Sequence, residues 1–190
     1  MSRASKFTPA ESERAILDAA DELFYASGIN AVSMAEIRDH ASVSLRRLYE
    51  LFPSKSDLVL GWLRDRDTNW LAWFGAELDQ RIAGGADVVD AVFDTLADWL
   101  TSTNFRGCAF LNTLSESADL NDRRQAAIQN HKQATIDALG VLHPQPEALA
   151  VLIDGAIAQC AVFGSLDPLA AARSTARLIS EPTTAKGSAR

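Results

Sequence analysis

An all-α fold of about nine helices follows from three features of the chain. Apolar residues recur three and four apart from Ala15 to Ile179, the spacing of one helix face. Serine, threonine, aspartate and glycine stand where those runs begin and end, as caps do. No stretch carries the alternation of a strand, and no segment repeats. At 190 residues, 47% of them hydrophobic, the chain can hold one or two domains with a proper core.

Residues 1–7 are expected to form a mobile arm carrying Arg3 and Lys6. Thr8-Pro9-Ala10-Glu11 then opens the first helix with a capping threonine, a proline at the first helical position and a capping-box glutamate. Ala15, Ile16, Ala19, Leu23 and Phe24 mark its core face, and Gly28 its end. Ser33 with Glu36 begins a second helix, whose apolar face is Ile37 and Ala41. Ser42-Val43-Ser44 breaks it. Ser44 caps a third, with Leu48, Tyr49 and Phe52, which Pro53 stops. Two such short helices with so short a link must cross steeply, as in a helix-turn-helix. The third leaves Arg46, Arg47 and Glu50 off its apolar side.

Ser54 or Ser56 caps a fourth helix running to Ala83-Gly84-Gly85, roughly 40 Å long at about 1.5 Å per residue. Trp62, Trp70, Trp73 and Phe74 fall on it, and the charged turn at 64–67 is expected to be exposed. Val89, Val92, Phe93, Leu96, Trp99 and Leu100 mark a fifth helix, about Asp87 to Leu100. After a turn at Asn104–Gly107, Cys108 to Leu114 begins a sixth, mostly buried. Asp119 or Asn121 caps a seventh through about Leu139, with Ile128, His131, Thr135 and Leu139 on one face. His143-Pro144-Gln145-Pro146 is a break. An eighth, Leu149 to Phe163, is apolar nearly all round, so its own domain or a partner buries it. Gly164 caps it, and Asp167-Pro168 starts a ninth with Leu169, Ala172, Ala176 and Ile179. The tail after Glu181 is polar and small, a composition that favours disorder.

Charge sets further bounds. The chain carries −7 overall, which by itself argues against nucleic acid, but a sum can hide a patch. From Arg38 to Lys55 four cations (Arg38, Arg46, Arg47, Lys55) outnumber Asp39 and Glu50, leaving +2 on that segment. A small cationic face on an acidic body suits docking to a duplex at one place. No run approaches a membrane span, and the start MSRASKF lacks the apolar stretch of a signal peptide, so a cytoplasmic protein without membrane contact is expected. Cys108 and Cys160 are far apart and read as small buried hydrophobes. His40, His131 and His143 make no ligand pattern, so neither a metal nor another cofactor is implied. No triad, phosphate loop or carboxylate pair points to an enzyme.

The stretch SMAEIRDHASVSLRRLYELFPSK, with RAILDAADELFYASG before it and SKSDLV after, resembles the DNA-binding region of the TetR family of bacterial transcriptional regulators. The alanine-rich first helix, Phe24, Gly28, Leu48-Tyr49, Phe52 and Ser54-Lys55 carry the likeness, over roughly a quarter of the chain. Three residues depart from it. Arg38 stands where alanine is usual, Ser42 where glycine usually makes the turn, and Arg46 where glycine is common. A non-glycine residue at positive φ costs about 1 kcal/mol, so a differently shaped turn is expected.

The resemblance implies a helix-turn-helix DNA-binding domain over 1–53, a helical effector-binding and dimerisation domain over 54–181, and a disordered tail over 182–190. For double-stranded DNA it implies phosphate contacts at Tyr49 and Lys55, joined by Ser33 and Ser44 at helix starts. Arg46 and Arg47 are the candidates for base edges, and Leu45 for a thymine methyl. Aromatic side chains exceed what a core of this size needs: Trp70, Trp73, Phe74, Phe93, Trp99, Phe105, Phe110 and Phe163, with Asn112, His131 and Gln159 as polar groups among them. They make either a small-molecule effector pocket or an ordinary packed core. Leu149, Leu152, Ile153, Ala156, Ile157, Cys160, Leu169, Ala172, Ala176 and Ile179 make either a homodimer interface or an intramolecular one. A dimer would set two recognition helices about 34 Å apart. RGCAFLNTLSE also resembles a motif of one branch of these regulators. The whole reads as a ligand-responsive repressor, with a helical protein–protein adaptor as the rival. Steep salt dependence would separate them, because phosphate binding releases counterions.

Overall fold

The computed structural model describes residues 7–102, 105–116 and 122–180, and among these it has nine α-helices and no strand. They are α1 (Pro9–Ser27), α2 (Met34–Ala41), α3 (Leu45–Leu51), α4 (Lys55–Ala83), α5 (Val88–Leu100), α6 (Ala109–Glu116), α7 (Asp122–Gly140), α8 (Pro146–Phe163) and α9 (Asp167–Ser180). The caps expected at Asp119 or Asn121, the first residue of the 104–107 turn, Arg3 and Lys6, and the tail over 182–190 lie outside the described residues.

The helices start where capping chemistry allows. Thr8 Oγ1 accepts from the Glu11 N–H at 3.2 Å while a Glu11 carboxylate oxygen accepts from the Thr8 N–H at 2.7 Å, closing a capping box on α1. Ser54, not Ser56, caps α4: its Oγ accepts from the Asp57 N–H at 3.1 Å. Asp87 does the same for α5, accepting from the Val89 N–H at 2.9 Å. α8 begins three residues before the expected Leu149, because Pro146 already holds a helical φ at the first position.

Contacts group the chain into two compact units, Met1–Ala72 with Cys108–Lys132, and Trp73–Gly107 with Gln133–Arg190. This grouping does not follow the sequence boundary at 53/54, since half of α4, α6 and half of α7 join the helix-turn-helix. Ile16, Ile37, Leu48, Leu58 and Leu63 are the fully buried centre of the first unit, each worth about 1.5–3 kcal/mol of transfer free energy. Phe24 meets Trp62 edge to face at 5.4 Å. Gly61 lets α4 pass Phe52, since a Cβ there would lie 2.8 Å from that ring. The turn at 64–67 is a correction to the sequence expectation. Only Arg64 is exposed, because Asp65 takes both nitrogens of Arg14 (2.6 and 2.9 Å), Arg66 pairs with Asp21, and Asp67 meets His131.

In the second unit α9 packs on α8 and α5 around Phe93, Leu96, Leu149, Ile153, Leu169 and Ala176. Arg173 pairs with Asp94, and Arg177 with Asp90, along the α5–α9 seam. His143 Nε2 lies 2.6 Å from Ser180 Oγ, which holds the break before α8 against the end of α9. Contrary to the sequence expectation, one run does reach membrane-span length: α8 has 18 residues at a mean hydropathy of 1.5.

Candidate nucleic-acid interface

The site is built on α2, its turn, α3 and the start of α4. Ser33 closes a second capping box, its Oγ accepting from the Glu36 N–H at 3.2 Å and its own N–H donating to Glu36 at 2.7 Å. These bonds hold the Glu36 carboxyl below its ordinary range, the backbone bond first and the hydroxyl next. α2 ends at Ser42 in the left-handed conformation (φ 54°, ψ 35°). There the Ser42 N–H donates to the Asp39 carbonyl at 3.2 Å and the Val43 N–H to the Arg38 carbonyl at 3.3 Å, a Schellman closure. The expectation of a differently shaped turn is therefore corrected. The serine takes the conformation that glycine would adopt without strain. Arg38 lies half-buried on α2, with Nε 2.8 Å from Asp39.

Ser44 caps α3, accepting from the Arg47 N–H at 3.1 Å. Leu48 of α3 is fully buried, and this sets the helix's rotation. Leu45, Arg46, Tyr49 and Glu50 consequently share the exposed face, one turn apart in pairs. The two arginines proposed for base edges part company here. The Arg46 side chain is 88% exposed and that of Arg47 only 25%, with Arg47 Nε buried and lacking a partner among the described residues. Glu50 holds both: Oε1 accepts from Arg46 Nε at 2.7 Å and Oε2 from Arg47 Nη1 at 3.2 Å. Sequence reasoning noted Glu50 only as outward-facing, although its i,i+4 spacing to Arg46 signals this pair. Lys55 opens α4, half-buried. Desolvation pushes its ammonium down from 10.5, against Glu116, while Arg124 pushes the same way as burial.

The effector candidates fall in both units. In the first, His131 is buried and stacks on Phe110 with ring centres 3.6 Å apart, and Trp70 meets its edge at 5.4 Å. Asp67 lies 2.7 Å from His131 Nδ1, and Asn112 is half-buried on α6. In the second, Trp73 and Phe74 lie 6.5 Å apart, Phe93 is buried, and Trp99 meets Phe105 edge on at 5.1 Å. Gln159 is exposed, which corrects its placement among apolar neighbours. A cleft of about 610 Å³ in this unit is lined by Leu100, Thr101, Phe105, Arg106, Cys160 and Leu166 among others, and of the residues named for an effector pocket it takes Phe105 alone. Both cysteines are buried and free. Among the described residues no cluster of His, Cys, Asp or Glu could hold a metal.

The interface candidates on α8 and α9 require a correction as well. Eight of the ten are buried inside the single chain, and Leu152 and Ile179 are half-buried. Most of them form the core where α8 meets α9, the intramolecular alternative. The opposite side of α8 carries Val151 and Val162 (76% exposed), Phe163 (69% exposed) is its last residue, and Leu166 and Leu178 are exposed beyond it. Period decides this: an all-apolar helix does not reveal in sequence which face its own domain takes.

Residues 16–61 match the family described as bacterial regulatory proteins, tetR family. The chain is 30% identical to the TetR-family transcriptional regulator SCO4454 from Streptomyces coelicolor, covering 90% of this chain and 97% of that one at a TM-score of 0.74. Its fold is also that of reduced NemR from E. coli (18% identity, 91% and 99% covered, TM-score 0.79). The multidrug binding protein EbrR, solved in complex with malachite green, shares it too (18%, 90% and 98%, TM-score 0.72). No curated protein matches the chain.

Proposed function

The chain belongs to the TetR family of bacterial regulatory proteins, and from that premise we propose that it is a ligand-responsive, dimeric DNA-binding repressor. The observation that carries this reading is the outward face of α3, where a largely exposed arginine stands between Leu45 and Tyr49 on a helix capped by Ser44. A helix of this kind fits the major groove, with side chains at its start reaching base edges. Tyr49, Lys55, Ser33 and Ser44 supply phosphate contacts around it, and these set register without reading sequence. Leu45 is apolar and exposed at the helix start, suited to a thymine methyl.

The effector is a small apolar or aromatic molecule, in keeping with the density of aromatic side chains and with the dye bound by EbrR. It acts by binding one of two arrangements of the helices more tightly, and can shift the equilibrium only by that difference in affinity. The partner subunit packs on the outward side of α8 and α9, through Val151, Val162, Phe163 and Leu178. Two-fold symmetry then implies a palindromic operator. Selection of bound sites from random duplex DNA, followed by titration against salt, tests the reading. A palindrome and a steep loss of affinity with salt are expected. A chain that retains no duplex at low ionic strength refutes it.

A further inference from the structure

We infer that Arg46 is the guanine reader of the recognition helix and that Glu50 is the positioning residue that aims it, an assignment resting on the DNA-binding reading above. Two observations on α3 carry this, joined to the chemistry of the guanidinium. Glu50 Oε1 accepts from Nε of Arg46 at 2.7 Å, a bond that uses the inner nitrogen of the guanidinium. The fork-like Nη1 and Nη2 donors are the pair that matches guanine O6 and N7. A carboxylate on Nε fixes the plane of the group and sends those two nitrogens away from the helix, a pre-orientation that a lone exposed arginine lacks. The spacing is i,i+4, so both side chains leave α3 on one face.

Arg47 is excluded from the same task by its position. Its side chain is three-quarters covered, Nη1 is engaged by Glu50 Oε2 at 3.2 Å, and Nε is buried. It acts on the DNA through Glu50, by holding the second carboxylate oxygen so that the first faces Arg46. The Glu50 carboxyl is correspondingly held below its ordinary range, by the Arg46 hydrogen bond first. The carboxylate also selects by repulsion. Facing a phosphate or an acceptor edge it is unfavourable, and the base edges it tolerates are the donors, cytosine N4 and adenine N6. The pair thus favours a guanine at the position Arg46 reaches, the fork of Arg46 reading O6 and N7 while the carboxylate disfavours a bare acceptor edge.

The test is selection from random duplex DNA with the full-length wild type, Arg46→Ala, Arg46→Lys, Glu50→Gln and Glu50→Ala, with affinities measured on the selected and on scrambled duplexes. The wild type is expected to select a guanine in each half-site, with about tenfold or more discrimination against other bases. Arg46→Ala removes that preference. Glu50→Gln keeps it, since the amide oxygen still accepts from Nε, while raising affinity for scrambled DNA through the lost negative charge. Glu50→Ala loses the guanine preference but gains the same scrambled affinity, which also shows that the variant is folded. Arg46→Lys, with a point charge and no fork, binds without the preference. A wild type that binds no duplex overturns the DNA reading and this inference together. A wild type that selects sites whose base preferences survive Glu50→Ala or Arg46→Ala overturns the inference alone.

Discussion

Glu116 and Asn30 hold each other twice, each side chain on the other's backbone. The Asn30 N–H donates to Glu116 Oε2 at 3.1 Å, and the Asn30 amide donates to the Glu116 carbonyl at 2.7 Å. The end of α6 is thereby fastened, within the first unit, to the loop that leads from α1 into the helix-turn-helix. Gly28 permits it: φ is 86°, and a Cβ would stand 3.0 Å from the Glu116 carboxylate. Glu116→Ala is expected to lower unfolding free energy by about 1 kcal/mol. Gly28→Ala should cost more, since strain at positive φ adds to a displaced carboxylate. Urea midpoints equal to the wild type's in both variants would show that the clasp carries no stability.

Ser42 marks a strained turn with a known cure. Replacing it by glycine should stabilise the protein by roughly 0.5–1 kcal/mol, because φ 54° then carries no Cβ penalty. Operator affinity should be unchanged. A destabilised Ser42→Gly variant in chemical denaturation would mean the serine side chain contributes more than its backbone costs.

Lys55 is the phosphate contact with the clearest signature. Lys55→Ala should weaken binding to selected and scrambled duplexes alike and lower the slope of log affinity against log salt by about 1 for each half-site. Anisotropy titrations at several salt concentrations measure this. An unchanged slope would remove Lys55 from the interface.

The dimer face should respond to outward residues and not to the inward ones. Phe163→Glu, on a side chain that is already exposed, is expected to give a folded monomer by light scattering with its helical circular dichroism intact. Ile153→Glu should instead unfold the second unit, because a charge would enter a position only 3% exposed. A Phe163→Glu variant that remains dimeric would move the interface elsewhere.

Acid should loosen the first unit through its caps. The Glu11 and Glu36 carboxyls are held below their ordinary 4.5, by the backbone N–H groups of Thr8 and Ser33 first and the hydroxyls next. A lowered folded value means that folding favours the ionised form. Their contribution is complete above about 4.5 and is lost as pH falls through the lower folded value. Denaturation midpoints should fall with acid in that window, and less steeply in Glu36→Gln. An identical pH profile for wild type and variant would count against the caps.

Much of the helix-turn-helix was legible in the chain because its signals are local. Thr8 with Glu11, Ser33 with Glu36, Ser44 and Pro53 set the ends of α1, α2 and α3 through bonds that span three or four residues. The ends of α4 at Lys55 and α8 at Phe163 were set in the same way by Ser54 and Gly164. Ser42 was recognised as a break but not as a left-handed residue, since the departure from glycine carries no instruction about which φ results.

What the sequence determined by itself is the list of helices, their caps and the cationic segment from Arg38 to Lys55, all products of spacing along one chain. The tertiary structure decided which side of each helix is used. It covered Arg47 and left Arg46 exposed, gave the inward side of α8 to α9, exposed Gln159, and paired Asp65, Arg66 and Asp67 with Arg14, Asp21 and His131. The physical reason is range. Caps and turns are satisfied by neighbours a few residues away, whereas burial depends on which distant face arrives, and an apolar or charged side chain is equally ready for several.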